Sequence, residues 1–170
     1  MNNDPIDNTQ RSSDEASPKG AVRELQLVRA GSLHFGIFAD EIATTVAWRK
    51  PTPLPHAPKS VLGVVSIQGR MLTVLELTTL TGREAGSGGA TPNGDRHIVA
   101  LRGDEQLALA VDALGVTVQV ADGDLPPKQG TAGTLILGVL QLEDSEIYIL
   151  NLRELFPTAI QGRQRRKRRF

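Results

Sequence analysis

A chain of 170 residues with 39% hydrophobic and 22% charged residues is long enough to enclose a shared core, as one domain or two small ones. It contains no cysteine, which excludes disulfides and thiolate metal sites and leaves Ser, Thr or Lys for any nucleophilic chemistry. The formal net charge of zero hides an asymmetry: Arg163, Arg165, Arg166, Lys167, Arg168 and Arg169 crowd the C-terminus, and the rest of the chain carries thirteen basic against nineteen acidic residues, a charge of −6.

Residues 1 to 21 are polar and acidic where a signal peptide needs a basic start and an apolar run, and no stretch reaches the roughly 18 apolar residues of a membrane span. The segment reads as a disordered leader on a soluble, cytosolic protein, its apolar side chains too sparse to offset the entropy of ordering them. From Val22 the signal is period-two alternation. Leu25 and Leu27, then Leu33, Phe35 and Ile37, place apolar groups on one face of successive short strands, with a tight hairpin at Ala30 and Gly31. Similar runs recur at Ile98–Leu101, Leu107–Val111 and Val116–Val120. Helix is expected only as one or two turns after Leu75 and after Leu150. Gly82 to Asp95, GREAGSGGATPNGD, is a surface loop; it lacks the Gly-Lys-Ser/Thr and the following helix of a phosphate cradle. A further loop, Asp122 to Gly133, carries Pro126 and Pro127 and is excluded as a central strand. Residues 158 to 170 form a basic tail whose like charges repel, so it is expected to be disordered. Contact with nucleic acid or an anionic membrane, or plain solvation, all stay open for it.

The chain repeats itself. At an offset of 75, Leu62-Gly63-Val64 lies over Leu137-Gly138-Val139, and Leu72 to Leu80 lies over Ile147 to Leu155 without a gap. Upstream, an offset of 72 pairs Gly31 with Gly103, Phe35 with Leu107, Ile37 with Leu109 and Asp40 with Asp112. Each half, 22–82 and 97–157 around a Gly-rich loop at 83–96, therefore holds about five strands and a helical turn. Five short strands left open would have two unpaired edges, and curling into a barrel removes them. Gly63 and Gly138 suit a bend at a barrel corner. The expected fold is all-β: two five-stranded SH3/OB-like β-barrel subdomains that exchange contributions, related by a pseudo-twofold.

The segment Val61 to Leu77, VLGVVSIQGRMLTVLEL, resembles the core motif of the CheW family, Gly-apolar-apolar-Asn-Leu-Arg-Gly followed by a proline-containing strand and apolar-Asp-Leu. Pro55-His56-Ala57-Pro58 is similar to the family's approach to that strand. His97-Ile98-Val99, Leu107 to Asp112 and Ile147 to Phe156 resemble its later strands and closing helix, so the likeness spans about residues 22 to 157 in order. It implies two five-stranded barrels without a catalytic site or cofactor. It also implies a cytoplasmic adaptor recruited to membrane-associated receptor arrays. Its partners would be the regulatory domain of a CheA-type histidine kinase and the cytoplasmic tip of a methyl-accepting chemoreceptor. Carried over by position, the partner-binding surface falls at Gly63, Val65, Ile67, Gln68 and Gly69. Four positions depart from the motif: Ser66 replaces Asn, Gln68 Arg, Thr73 Pro and Glu76 Asp. Gln68 cannot offer a carboxylate the charged fork of an arginine, which weakens the receptor assignment and leaves the fold untouched.

Other candidate residues weigh less. His34 alternates with inward neighbours and should face solvent, His56 lies in a Pro-rich turn and His97 starts a strand; no two have a metal-ligand spacing. Asp40-Glu41, Asp104-Glu105 and Glu143-Asp144 fall at turns, and the equivalence of Asp40 and Asp112 favours a structural role, such as accepting backbone N–H groups. Trp48 is either an interface anchor or a barrel-end cap. Arg70 has Ser145 as its duplicate, so the fold does not dictate it; it is a partner contact or a solvated turn residue. A nucleic-acid-binding β-barrel with a basic C-terminal arm is the competing function, disfavoured because only 4% of residues are aromatic.

Overall fold

A computed structural model of the chain describes residues 20–82, 96–103, 105–125 and 135–161. Most of residues 1 to 21, the Gly-rich loop from 83 to 95, most of the Asp122 to Gly133 loop and the six clustered basic residues lie outside the described residues. Among the described residues ten strands occur in order: β1 Val22–Ala30, β2 Leu33–Phe38, β3 Ile42–Ala47, β4 Val61–Ile67, β5 Arg70–Glu76, β6 His97–Leu101, β7 Leu107–Val111, β8 Ala113–Ala121, β9 Ile136–Leu142 and β10 Ser145–Leu150. The helices are α1, Leu77–Thr81, and α2, Leu155–Gln161, with 3-10 turns at Ala39–Glu41 and Leu152–Glu154. Gly82, with φ +63, ends α1 in the left-handed cap that glycine adopts without Cβ strain.

The strands form two five-stranded sheets, β8-β1-β2-β10-β9 and β3-β6-β7-β5-β4. Replacing each strand by its duplicate, β1 by β6, β2 by β7 and so on, converts the first order into the second. Even the two parallel pairings correspond: β10 runs along β2 with Ile147 opposite His34, and β5 along β7 with Thr73 opposite Leu107. Each sheet nevertheless takes strands from both sequence halves. The chain crosses from the first sheet to the second at the turn Ala39–Glu41 and returns at Asp112, so the equivalent positions Asp40 and Asp112 mark the two crossovers.

Three apolar clusters result. Leu25, Leu27, Phe38, Val120, Ile147 and Ile149 fill the concave side of the first sheet, together with Leu140 and Leu142 of its far edge. Val65, Ile67, Leu72, Val74, Ile98, Ala100, Ala108 and Ala110 do the same for the second, joined by Val46 and Trp48. Because opposite edge strands meet around one cluster, each sheet is curled like a barrel. At the second sheet the chain after β3 completes the curl: Thr52 and Val64 exchange backbone hydrogen bonds of 2.8 and 2.9 Å across the edge of β4. Between the sheets lies the largest cluster, with Val28, Phe35, Ile37, Leu75, Leu77, Val99, Leu101, Leu109, Tyr148, Leu150 and Leu155.

This arrangement corrects the expectation that the early strands share one apolar face. Leu25 pairs with Phe38 and Leu27 with Gly36, so these side chains point into the first barrel, whereas Phe35 and Ile37 point to the joint between the sheets. Every residue of β7 is buried, with alanines inside the second barrel and leucines and Val111 at the joint. Small side chains suit the narrow barrel interior and large ones the wider joint. His34 is half-buried rather than solvent-facing. Helix α2 also runs to Gln161, past the expected boundary at 157, because Leu155 and Ala159 lie four residues apart and both bury. Pro157 falls in its first turn, where a missing N–H breaks no helical bond.

Candidate functional site

The β4–β5 hairpin presents most of the residues singled out from the sequence. Ile67 pairs with Arg70 across a two-residue turn. Gln68 and Gly69 have φ of 49° and 76°, the doubly left-handed geometry that matches the twist of the flanking strands. Gln68, Gly69 and Arg70 are exposed at the tip. Arg70 reaches sideways, its Nη2 donating to the Gly103 carbonyl at 3.4 Å, and Arg49 donates to Ser66 O at 3.5 Å. Val65 and Ile67 turn inward and belong to the second barrel's core, so they can shape this strand but offer no side chain to a partner. Gly63 is buried too, facing the Thr52 carbonyl. Met71, which alternation alone could have flagged as the outward neighbour of Leu72, is 55% exposed and adds an apolar contact beside Arg70.

A second polar assembly ties the sheets together behind this hairpin. Arg96 approaches Glu76 at 3.4 Å and Asp112 at 3.3 Å, and its guanidinium lies 4.1 Å from the centre of the Trp48 ring. Asp112 in turn accepts the Gly31 N–H at 2.6 Å from the β1–β2 turn of the other sheet, while its own N–H donates to Arg29 O at 2.7 Å. Trp48 thus packs on the second core beneath a cation. Asp112 accepts a backbone N–H as the duplicated position suggested; Asp40 is mostly exposed and instead pairs with Arg23 at 3.1 Å. Arg96 was hidden at the end of the Gly-rich loop. Substituting Asp112→Ala strands the Gly31 N–H and removes one partner of Arg96, so we expect a loss of about 2 kcal/mol in unfolding free energy, read by urea denaturation. A loss below a few tenths would show the contact to be dispensable.

Among the described residues no three His, Cys, Asp or Glu gather where they could hold a metal ion, and no helix is long and apolar enough to cross a membrane. Among the described residues, Glu41 at the first crossover is the group whose titration is clearly displaced: burial pushes its carboxyl above the ordinary glutamate value, Arg23 and Arg153 oppose this, and Asp40 adds to it.

Comparison with known proteins decides the family. The model of the CheW-like domain matches residues 24–159. The chain belongs to the CheW-like domain family. The chemotaxis protein CheW of Rhizobium meliloti (strain 1021) is 32% identical over 142 residues, covering 80% of this chain and 88% of the relative. A probable chemotaxis protein CheW of Rhizobium etli is 28% identical over 140 residues, covering 79% and 87%. The fold is shared with the scaffolding protein TtCheW of Thermoanaerobacter tengcongensis, at a TM-score of 0.67 and 21% identity, over 80% of this chain and 88% of that one. Gln68 occupies a left-handed turn position, and Arg70 two residues on carries a guanidinium at this end of the hairpin.

Proposed function

We propose that this chain is a chemotaxis adaptor without catalytic activity, which joins the cytoplasmic tip of a methyl-accepting chemoreceptor to the regulatory domain of a CheA-type histidine kinase. Membership of the CheW-like family supports the adaptor role, as do relatives named for chemotaxis and a solved neighbour described as a scaffolding protein. The single observation that carries the docking surface is the hairpin tip, where Gln68, Gly69, Arg70 and Met71 are exposed at the end of a barrel whose core holds Val65, Ile67 and Leu72. Gly63, Val65 and Ile67 hold that tip in place from inside. Work is done by geometry: a partner that binds one arrangement of the assembly better than another shifts the kinase toward it by that difference in affinity. Such an adaptor acts in the cytoplasm, recruited to receptor arrays.

Titration of the purified chain with the kinase regulatory domain and with a receptor-tip fragment from the same genome tests this reading. Met71→Glu should weaken at least one of the two complexes by tenfold or more, about 1.4 kcal/mol. Its unfolding midpoint should stay unchanged, since the side chain is exposed. If the unmodified chain associates with neither protein, the adaptor role is wrong.

A further inference from the structure

Where the two sheets meet at the first crossover, a cleft of about 450 Å³ opens between Glu41, the β6–β7 turn and the 3-10 turn after β10. Leu101, Leu107 and Leu152 line it, with Arg102, Glu105, Gln106 and Arg153 supplying polar and charged groups. Glu41 Oε2 is buried here without a hydrogen-bond partner among the described residues. A carboxylate oxygen removed from water and given no donor destabilises the fold it belongs to, so its retention calls for an explanation beyond stability. Arg23 and Arg153 act on the carboxylate from a distance, but neither gives this oxygen a hydrogen bond. Arg23 of β1 pairs with Asp40 at 3.1 Å and lies over the Phe38 ring at 3.5 Å. Arg102 spends its Nε–H on the Ile42 carbonyl at 3.0 Å. Arg153, beyond the end of β10, acts on Glu41 through space, while Asp40 and Glu105 add negative charge. The cleft also adjoins the docking hairpin, because Gly103, which lines it, accepts the hydrogen bond from Arg70.

A cleft that sets three leucines beside a carboxylate lacking a hydrogen-bond donor fits a side chain with a methylene stem and a cationic head. We propose that the cleft receives a lysine or arginine side chain of the protein partner that docks on the β4–β5 hairpin, its stem along the three leucines and its head on Glu41. This rests on the adaptor reading and specifies the chemistry of its partner.

The Glu41→Gln variant, made in the full chain and titrated with the same two proteins, tests the proposal. We expect about tenfold weaker binding to at least one of them near pH 7.5, with a thermal midpoint no lower than that of the unmodified chain. Burial favours the protonated form of Glu41 in the folded state, so ionisation at neutral pH works against stability and the amide does not carry that charge. Because the cationic head binds the ionised carboxylate, affinity of the unmodified chain should fall as pH is lowered through the raised titration range of Glu41. The Gln variant should lack this dependence. Weaker binding together with a lower thermal midpoint would assign Glu41 a structural role and overturn the proposal, as would unchanged affinity for both proteins or the same pH profile in variant and parent. If the parent binds neither protein, it is the adaptor role that falls first.

Discussion

Replacing Gly63 by alanine is expected to lower the unfolding free energy by about 3–5 kcal/mol, several times the cost of an ordinary surface change. Gly63 has φ +145 in the middle of β4, a region closed to residues with a side chain. A Cβ there would overlap the carbonyl oxygen of Thr52 and come within 2.6 Å of its carbon and 3.0 Å of Pro53 N. These are backbone atoms, and they cannot retreat cheaply: Thr52 is held to Val64 by two hydrogen bonds that complete the second barrel. The ladder between β4 and β5 already shifts register between Val61 and Gly63, so the strain has no further bulge to enter. Thermal or urea unfolding reads the effect. A loss under about 1 kcal/mol would mean that the strand slides to accommodate alanine and that the Thr52 bridge is not fixed. If the hairpin tip is the docking surface proposed above, the same variant should also bind partners poorly, since the tip hangs from this bend.

Phe35→Ala should be as severe, at about 3–5 kcal/mol. Phe35 is fully buried in the joint between the sheets, its ring centre 5.9 Å from that of Tyr148 at a tilt of 47°. The cluster it belongs to draws on strands of both sheets, among them β1, β7 and β10, and on α2, so a void there cannot be closed by one strand moving inward. Urea unfolding should show a lower midpoint with an unchanged dependence on denaturant. If the slope also fell, the two sheets would be coming apart in separate steps, and the joint would be a softer contact than its packing indicates.

Much of this architecture is written in the repeat. The Leu-Gly-Val strand and its return at an offset of 75 correspond residue for residue to β4–β5 and β9–β10, because hairpin length fixes register locally. What alternation could not tell was which face is buried. Leu107-Ala108-Leu109-Ala110-Val111 is apolar at every position, since β7 has a core on each side, and a two-sided strand carries no polar phase to read. That the halves exchange strands was expected, but which strands cross was silent: β3 pairs with β6 across a long separation, and no local feature distinguishes that from pairing within its own half. At the hairpin, Gln68-Gly69 announces its turn through composition. Met71 follows from the phase of Leu72 and Val74, but a motif carried over by position pointed instead to the buried Val65 and Ile67. Arg96 and Glu41 were missed for a common reason. Each looks like a solvated loop charge until the fold brings residues distant in sequence against it: Glu76, Asp112 and Trp48 against Arg96, and Leu152 and Arg153 beside Glu41.

The two crossovers also set an order of assembly. Everything in the second sheet lies between Ile42 and Val111, in one unbroken stretch, while the first sheet waits for β8 and β10 to arrive from beyond it. During synthesis, then, the earliest hairpin to emerge is the last to be flanked: β1 and β2 must hold two unpaired edges until the final third of the chain is made. Meanwhile the completed middle barrel offers Leu107, Leu109 and Val99 as the platform on which that hairpin can shelter.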